Sequence, residues 1–341
     1  LTRYFRLFAG VAALAVLAFP LMKVAAQEQV PPAPAQAPAA PAQAPSSPAP
    51  SSPAPAAPPT FPKPDPANFT AAAPTKEVVN GFLQQSWGYD ENRVWQLEAI
   101  LKTPVESISK VIVYVGDKTG KQKSQALQFF VLPDGKHIIA GDEVLPFGDH
   151  PFAEYRSVTQ QRANGPYKGS AAKDLELVEF ADFQCPHCKE AQANMEKLAT
   201  DFPKARIVFQ NYPLKIHPEA KRAASYGVCV AKQGGSPAFF QFASAVFDAQ
   251  DGLGTADGAT LTLNSAVTKA GLDPAKISAC SSTPETDQEI DSSVKLAEDL
   301  NVNQTPMLLV NGRQLPINQI PYDTLKQIIL FQAKLDGVTA Q

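Results

Sequence analysis

The apolar run at residues 175–180 (Leu-Glu-Leu-Val-Glu-Phe) has the length of a buried strand, and the spacing behind it changes to that of a helix over 185–200. A second strand is predicted at 206–210. Strand signals then vanish over 218–300, where segments 218–231, 237–249, 261–270, 274–280 and 285–299 carry helical spacing. Met307–Val310 is a short apolar strand, Asn311-Gly312 a strong hairpin turn into Arg313–Leu315, and 322–333 a closing helix. This order, β-α-β, helices, then β-β-α, predicts an α/β fold over 169–341 with a helical domain inserted at about 218–300. Upstream, residues 75–85 place Val78, Val79, Phe82 and Leu83 on one helical face. Strand-like runs follow at 94–101, 109–115, 125–132 and 136–140, the last two joined by the turn Pro133-Asp134-Gly135. One helix before antiparallel strands predicts a small α+β domain over 74–168.

Composition changes the picture mainly at the start of the chain. Arg3 and Arg6 precede an uncharged stretch, Leu7 to Met22, and then the small residues Val24, Ala25 and Ala26. That is the layout of a secretory signal, expected over 1–26. The alternative is an uncleaved anchor that would leave the protein membrane-tethered. Pro20 and a run shorter than the roughly 20 residues of a spanning helix oppose it. Both readings export the folded regions, to the periplasm or another extracytoplasmic space where disulfides persist. Residues 27–73 form a Pro/Ala-rich linker unable to bury apolar surface. At ~3.1 Å per residue its Pro-rich part reaches on the order of 100 Å when extended. The net charge of −3 and the lack of a basic run exclude a nucleic-acid surface.

Cys185-Pro186-His187-Cys188 ends a strand and opens a helix. Two cysteines three apart can close a small ring, and at a helix start the N–H groups and the dipole stabilise a thiolate. The thiolate is the attacking species in disulfide exchange. The competing reading, half of a zinc site, lacks its second half: zinc wants four ligands, and Cys229 and Cys280 lie apart from each other and from any His pair. No metal and no dissociable cofactor is therefore expected. Cys229 and Cys280 form either a fixed disulfide pinning the helical insert or a second redox couple. Phe239, Phe240, Phe242 and Phe247 form either the core of the insert or the lining of a peptide groove. His137 and His150 read as ordinary packed or surface residues. His217 reads as a cap or surface residue, the other reading being an approach to the cysteine pair.

Over 170–335 the chain resembles the DsbA-like family of exported thiol-disulfide oxidoreductases, which have a thioredoxin fold with a helical insert. The stretches carrying the resemblance are Val178 to Cys188 (Val-Glu-Phe-Ala-Asp-Phe-Gln-Cys-Pro-His-Cys), Asn211 to Pro218 and Gln304-Thr305-Pro306 ahead of Met307. It implies Cys185 as the solvent-facing attacking cysteine, Cys188 as the buried resolving one, and Pro186 and His187 as the pair that tunes the thiolate. It implies that Pro306 is a cis-proline against the disulfide, with Thr305 exposing its backbone for substrate pairing. Glu179 matches a buried acidic residue behind Cys188, a proton-relay candidate, although by itself it reads equally as a solvated strand residue. Some members carry a disulfide in the insert, which implies pairing of Cys229 with Cys280. The first region resembles more loosely the N-terminal dimerisation domain of DsbC/DsbG-type isomerases, through Phe129 to Asp142. The expected function is disulfide formation in reduced exported clients, with reoxidation by a membrane partner. The alternatives are a dimeric isomerase or reductase built on the first region, and a peptide-binding holdase that uses the fold without its chemistry.

Overall fold

The computed structural model describes residues 61–120 and 123–340. The signal expected at 1–26 and the linker up to residue 60 lie outside the described residues. Among the described residues no helix is long and apolar enough to cross a membrane.

Helix α1 (Lys76–Trp87) starts where Thr75 Oγ1 accepts the Val78 N–H at 3.3 Å, satisfying one donor of the first turn. It buries Val79, Phe82, Leu83 and Trp87 on an antiparallel sheet of β1 (Arg93–Lys102), β2 (Ser109–Asp117), β3 (Gln125–Val131), β4 (His137–Ala140) and β5 (Glu143–Pro146). The strands lie in sequence order, and inward residues such as Val111, Val113, Phe129 and Ile138 meet the helix. Each such side chain contributes roughly 1.5–3 kcal/mol on leaving water. The folded region begins earlier than composition indicated. Phe61 stacks on Tyr114, Gln96 Nε2 donates to the Pro62 carbonyl, and Thr70 and Ala71 N–H groups bond Ile100 O. The last dozen residues of the expected linker are thus fastened to the sheet, because Phe61 and Phe69 supply the apolar surface that the upstream Pro/Ala repeat lacks.

Helix α2 (Ala153–Arg162) leads into a second sheet with strand order β10-β9-β7-β8-β6. Its members are β6 (Tyr167–Gly169), β7 (Glu176–Ala181), β8 (Arg206–Asn211), β9 (Met307–Val310) and β10 (Arg313–Leu315). β7 and β8 are parallel, joined by α3 (Pro186–Asp201), while β9 and β6 run antiparallel to their neighbours. All six residues of β7 are buried because both sheet faces are covered. Leu177, Ile207 and Leu308 meet α3 and the C-terminal helix α8 (Tyr322–Leu335). Val178, Phe180 and Leu309 meet Tyr155 of α2 and the last insert helix. This is a thioredoxin-like α/β fold with the helical insert between β8 and β9.

The insert comprises α4 (Ala220–Asp248), a 3-10 turn (Gln250–Gly254), α5 (Ala256–Lys269), α6 (Pro274–Ser281) and α7 (Pro284–Asp299). α4 breaks at Gly235 (φ 69°) just before Pro237, and the two helical runs read from sequence are its halves. Phe239, Phe242 and Phe247 are buried, so the Phe-rich stretch is core and not groove. Cys229 and Cys280 are joined by a disulfide that ties α4 to α6. β5, β6 and α2 were not foreseen. Two of them are only four and three residues long, and α2 buries only Tyr155 and Thr159, too few apolar positions for a period.

The two folded regions are joined through Arg313, which is 5% exposed. Its guanidinium donates to Ser86 O at 3.1 Å, to Gln85 O, and through Nε to Gln332 Oε1 at 3.0 Å. Those carbonyls end α1 and have no partners within the helix, so a cation there satisfies both hydrogen bonding and the helix dipole. The turn before it needs Gly312 (φ 88°), since a Cβ there would lie 2.3 Å from Phe152 O.

Candidate redox site

Cys185 is the N-cap residue of α3 and Pro186 its first residue, where a missing N–H costs nothing. Both cysteines are free thiols in this structure. The pair sits at the end of β7, beside the cis Thr305–Pro306 bond that precedes β9. Cys185 Sγ lies 3.6 Å from the Thr305 carbonyl, and the Thr305 hydroxyl oxygen is buried without a hydrogen-bond partner among the described residues. The Cys185 thiol is depressed from 9.0 to about 5. The hydrogen bond from the Cys188 thiol is the main cause and outweighs burial, with help from Thr305 and the Cys188 and His187 N–H groups. Cys188, wholly buried, is pushed well up by that burial and by its neighbour. The Asp182 N–H points at its sulfur from 3.3 Å. One ionised and one protonated thiol form the asymmetric pair that exchange chemistry uses.

One expectation is corrected. Cys185 is only 4% exposed and not solvent-facing. The insert's 3-10 turn closes on the loop before α3. Gln250 Nε2 donates to the Phe183 carbonyl at 2.8 Å and to the Cys185 carbonyl at 2.9 Å. Gln184 answers with a bond to Leu253 O at 3.0 Å and accepts the Glu219 N–H. Gln250→Glu keeps the size but removes both donors and sets a carboxylate against two carbonyls. The Cys185 pKa is expected to rise by about one unit, read by the pH dependence of alkylation, while Gln250→Asp, too short to reach, gives a smaller rise. An unchanged titration in Gln250→Glu would show that the clamp does not position Cys185.

His187 is largely exposed, its Nδ1 3.0 Å from Glu190 Oε2, and that carboxylate raises its pKa. Glu179 is buried and accepts from Gln192 Nε2 at 3.1 Å, while the same amide nitrogen also bonds the Cys188 carbonyl. Burial lifts the Glu179 carboxyl from 4.5 to about 7. The solvated-strand reading is thereby removed, and a group that can hold or release a proton near neutrality lies behind Cys188. A raised acid stabilises the fold below its unfolded pKa and loses that contribution as pH rises through about 7. Glu179→Gln is therefore expected to be more stable than the parent by about 3 kcal/mol at pH 8.5 and nearly equal at pH 4, measured by urea unfolding.

Sequence reasoning missed Asp182 and Gln250 and held the approach of His217 to the cysteine pair only as the second reading. The Asp182 carboxylate is buried and accepts the Gln184 N–H at 2.7 Å, the Leu214 N–H at 2.9 Å and His217 Nδ1 at 2.7 Å. His217 thus reaches behind the cysteine loop and is neither a cap nor a free surface residue. The signal for Asp182 was its place in the strand-to-cysteine segment; nothing local marks Gln250.

Residues 161–330 match the family model described as Thioredoxin. A 148-residue stretch is 30% identical to the Na(+)/H(+) antiporter NhaA 3 of Salinispora tropica, covering 43% of this chain and 22% of that protein. The chain thus spans about a fifth of the length of the curated relatives it matches. A thioredoxin-like oxidoreductase from Silicibacter pomeroyi is 25% identical with a TM-score of 0.44, over 52% of this chain and 98% of that one. DsbA2 of Pseudomonas aeruginosa is 26% identical with a TM-score of 0.42, over 49% and 93%. The family match begins in α2 and ends beyond β10, so the part of this chain that is similar to the thioredoxin family, residues 161–330, encloses the cysteine pair, the insert and the cis-proline.

Proposed function

We propose that this protein is an exported thiol-disulfide oxidoreductase that forms disulfides in reduced client proteins. The observation that carries this reading is the asymmetry of the pair, with Cys185 near pKa 5 and Cys188 well above its ordinary range. A thiolate this stable favours the reduced dithiol over the disulfide, which makes the disulfide a strong oxidant. In the forward reaction a client thiolate attacks Cys185 Sγ of the Cys185–Cys188 disulfide. The S–S bond breaks, Cys188 leaves as a thiolate and takes a proton, and a mixed disulfide joins client and Cys185. A second client thiolate then attacks the client sulfur of that bond, releasing Cys185 as its stable thiolate and the client as a disulfide. Two electrons pass from client to protein, and a membrane-bound redox partner must remove them before the next cycle. In this reading Glu179, buried behind Cys188, gives the proton that the departing Cys188 thiolate takes and recovers it on reoxidation, and the Thr305 backbone beside Pro306 pairs with the client chain.

The Cys229–Cys280 disulfide supports an oxidising, extracytoplasmic compartment. The small α+β domain ahead of the thioredoxin fold favours a second reading, a dimeric isomerase in which reduced Cys185 attacks a wrong client disulfide. The deciding experiment is the reduction potential of the Cys185–Cys188 pair, taken with the solution mass. A monomer nearer to about −120 mV than to about −270 mV supports the oxidase. A reducing dimer that repairs scrambled disulfides replaces it with the isomerase. In-cell function that survives Cys185→Ala supports a holdase.

A further inference from the structure

A cleft of about 880 Å³ separates the small domain from the thioredoxin fold. One wall is β5, residues Glu143 to Pro146, and another is β10, residues Arg313 to Leu315. Each is the terminal strand of its sheet, so two sheet edges line a single cavity. The cleft runs beside the redox site: Gln304 and Met307, which flank Thr305–Pro306 in the chain, form part of its lining. An edge strand carries backbone groups that an added extended chain can pair with. Val144 on β5 is 51% exposed, an apolar contact for such a chain.

The charges in the lining are one-sided. Among the described residues, Asp142, Glu143 and Glu298 are its carboxylates and Arg313 its one cation. Its guanidinium is buried and already bonded to Ser86 O, Gln85 O and Gln332, so it offers no counter-charge to an incoming chain. Burial raises the Glu143 pKa, and the neighbouring Asp142 carboxylate adds to the rise.

We infer that this cleft is a client-binding subsite that takes the extended segment next to the client cysteine and selects for lysine or arginine in it. The inference rests on the thiol-disulfide reading of Cys185 and adds a substrate class to it. The client chain pairs at Thr305, runs past Gln304 into the cleft, and lies along the strand edges with its cationic side chains toward Asp142, Glu143 and Glu298. A segment rich in Asp or Glu meets like charge there and binds more weakly.

The test uses the full chain and single-cysteine peptides carrying three lysines or three glutamates, placed before or after the cysteine. Exchange with Cys185–Cys188 is followed for the parent and for the Glu143→Lys/Glu298→Lys variant, with glutathione as a substrate too small to reach the cleft. For at least one placement, the parent is expected to show a KM about fivefold lower for the lysine peptide at similar kcat, the gap shrinking in 0.5 M salt. The variant reverses the preference while its glutathione exchange stays unchanged. Equal KM values for both peptides in both placements, or a preference that the variant keeps, overturn the subsite while leaving the redox reading intact. Loss of glutathione exchange in the parent defeats the redox reading itself. A change in solution mass on charge reversal assigns the cleft to a second copy of this chain and overturns the client subsite.

Discussion

Alkylation of the reduced protein is expected to follow a single titration with a midpoint of about 5, and to vanish in Cys185→Ser. A depressed thiol pKa stabilises the folded, reduced protein at pH values above the unfolded pKa, and the contribution disappears as pH falls through the folded one. From 9.0 to about 5, two units of that shift are realised at pH 7, about 3 kcal/mol. Thermal unfolding of reduced and oxidised protein measures it: the reduced form is the more stable at pH 7, with the gap closing toward pH 4. The same two decades make the disulfide about 60 mV more oxidising than one between ordinary thiols. Exchange with a client thiol is expected to fall at least a thousandfold in Cys185→Ser, because a serine hydroxyl forms no disulfide. Cys188→Ser can hold no internal disulfide, but its Cys185 thiolate still attacks a client disulfide, expelling one client thiolate and forming a mixed disulfide. No internal thiol can resolve it, so clients carrying disulfides are trapped on Cys185 and appear as higher bands on non-reducing gels. A midpoint near the ordinary thiol range, or no trapped species, would remove the basis for the proposed chemistry.

Replacing both Cys229 and Cys280 by alanine is expected to lower stability by about 4 kcal/mol, measured by denaturant unfolding under conditions where the parent keeps its disulfide. The bond closes a segment with a sequence separation of 51, and the unfolded chain regains that loop's freedom once it is cut. Cys229 lies in the same core as Phe239, Phe242 and Cys185, so a loosened insert also loosens the cover over the redox pair. The Cys185 midpoint is therefore expected to drift upward in the double variant, because the Gln250 clamp sits in that insert. A second redox couple predicts something else: normal stability with client turnover lost.

The α/β class, the interrupted thioredoxin order and the helical insert were readable because each depends on local periodicity. β7 with six buried residues, the helical spacing after Cys185 and the Asn311-Gly312 turn all signal within a few residues. Element ends were less readable: the strand read at 206–210 runs to Asn211, and the two helices read in 218–249 are one interrupted helix. The short strands β5 and β6 went unseen: β9 and β10 are as short, but an apolar run and the Asn311-Gly312 turn mark them, whereas β5 and β6 are strands only through their neighbours.

Chain order alone was enough to pick out Cys185 and Cys188 as the residues to watch, because a cysteine pair at a helix start is a feature of adjacent positions, while Pro306 was marked only by the resemblance to the DsbA-like family. The cover over Cys185, the carboxylate of Asp182 behind it and the two-sided cleft came only with the folded chain. Each joins residues far apart in sequence, as Gln250 meets Cys185 and Arg313 meets Ser86, with bonds across 65 and 227 positions. Hydrogen bonds of that span leave no mark in local spacing, and it is burial among them that sets where a thiol or a carboxyl ionises.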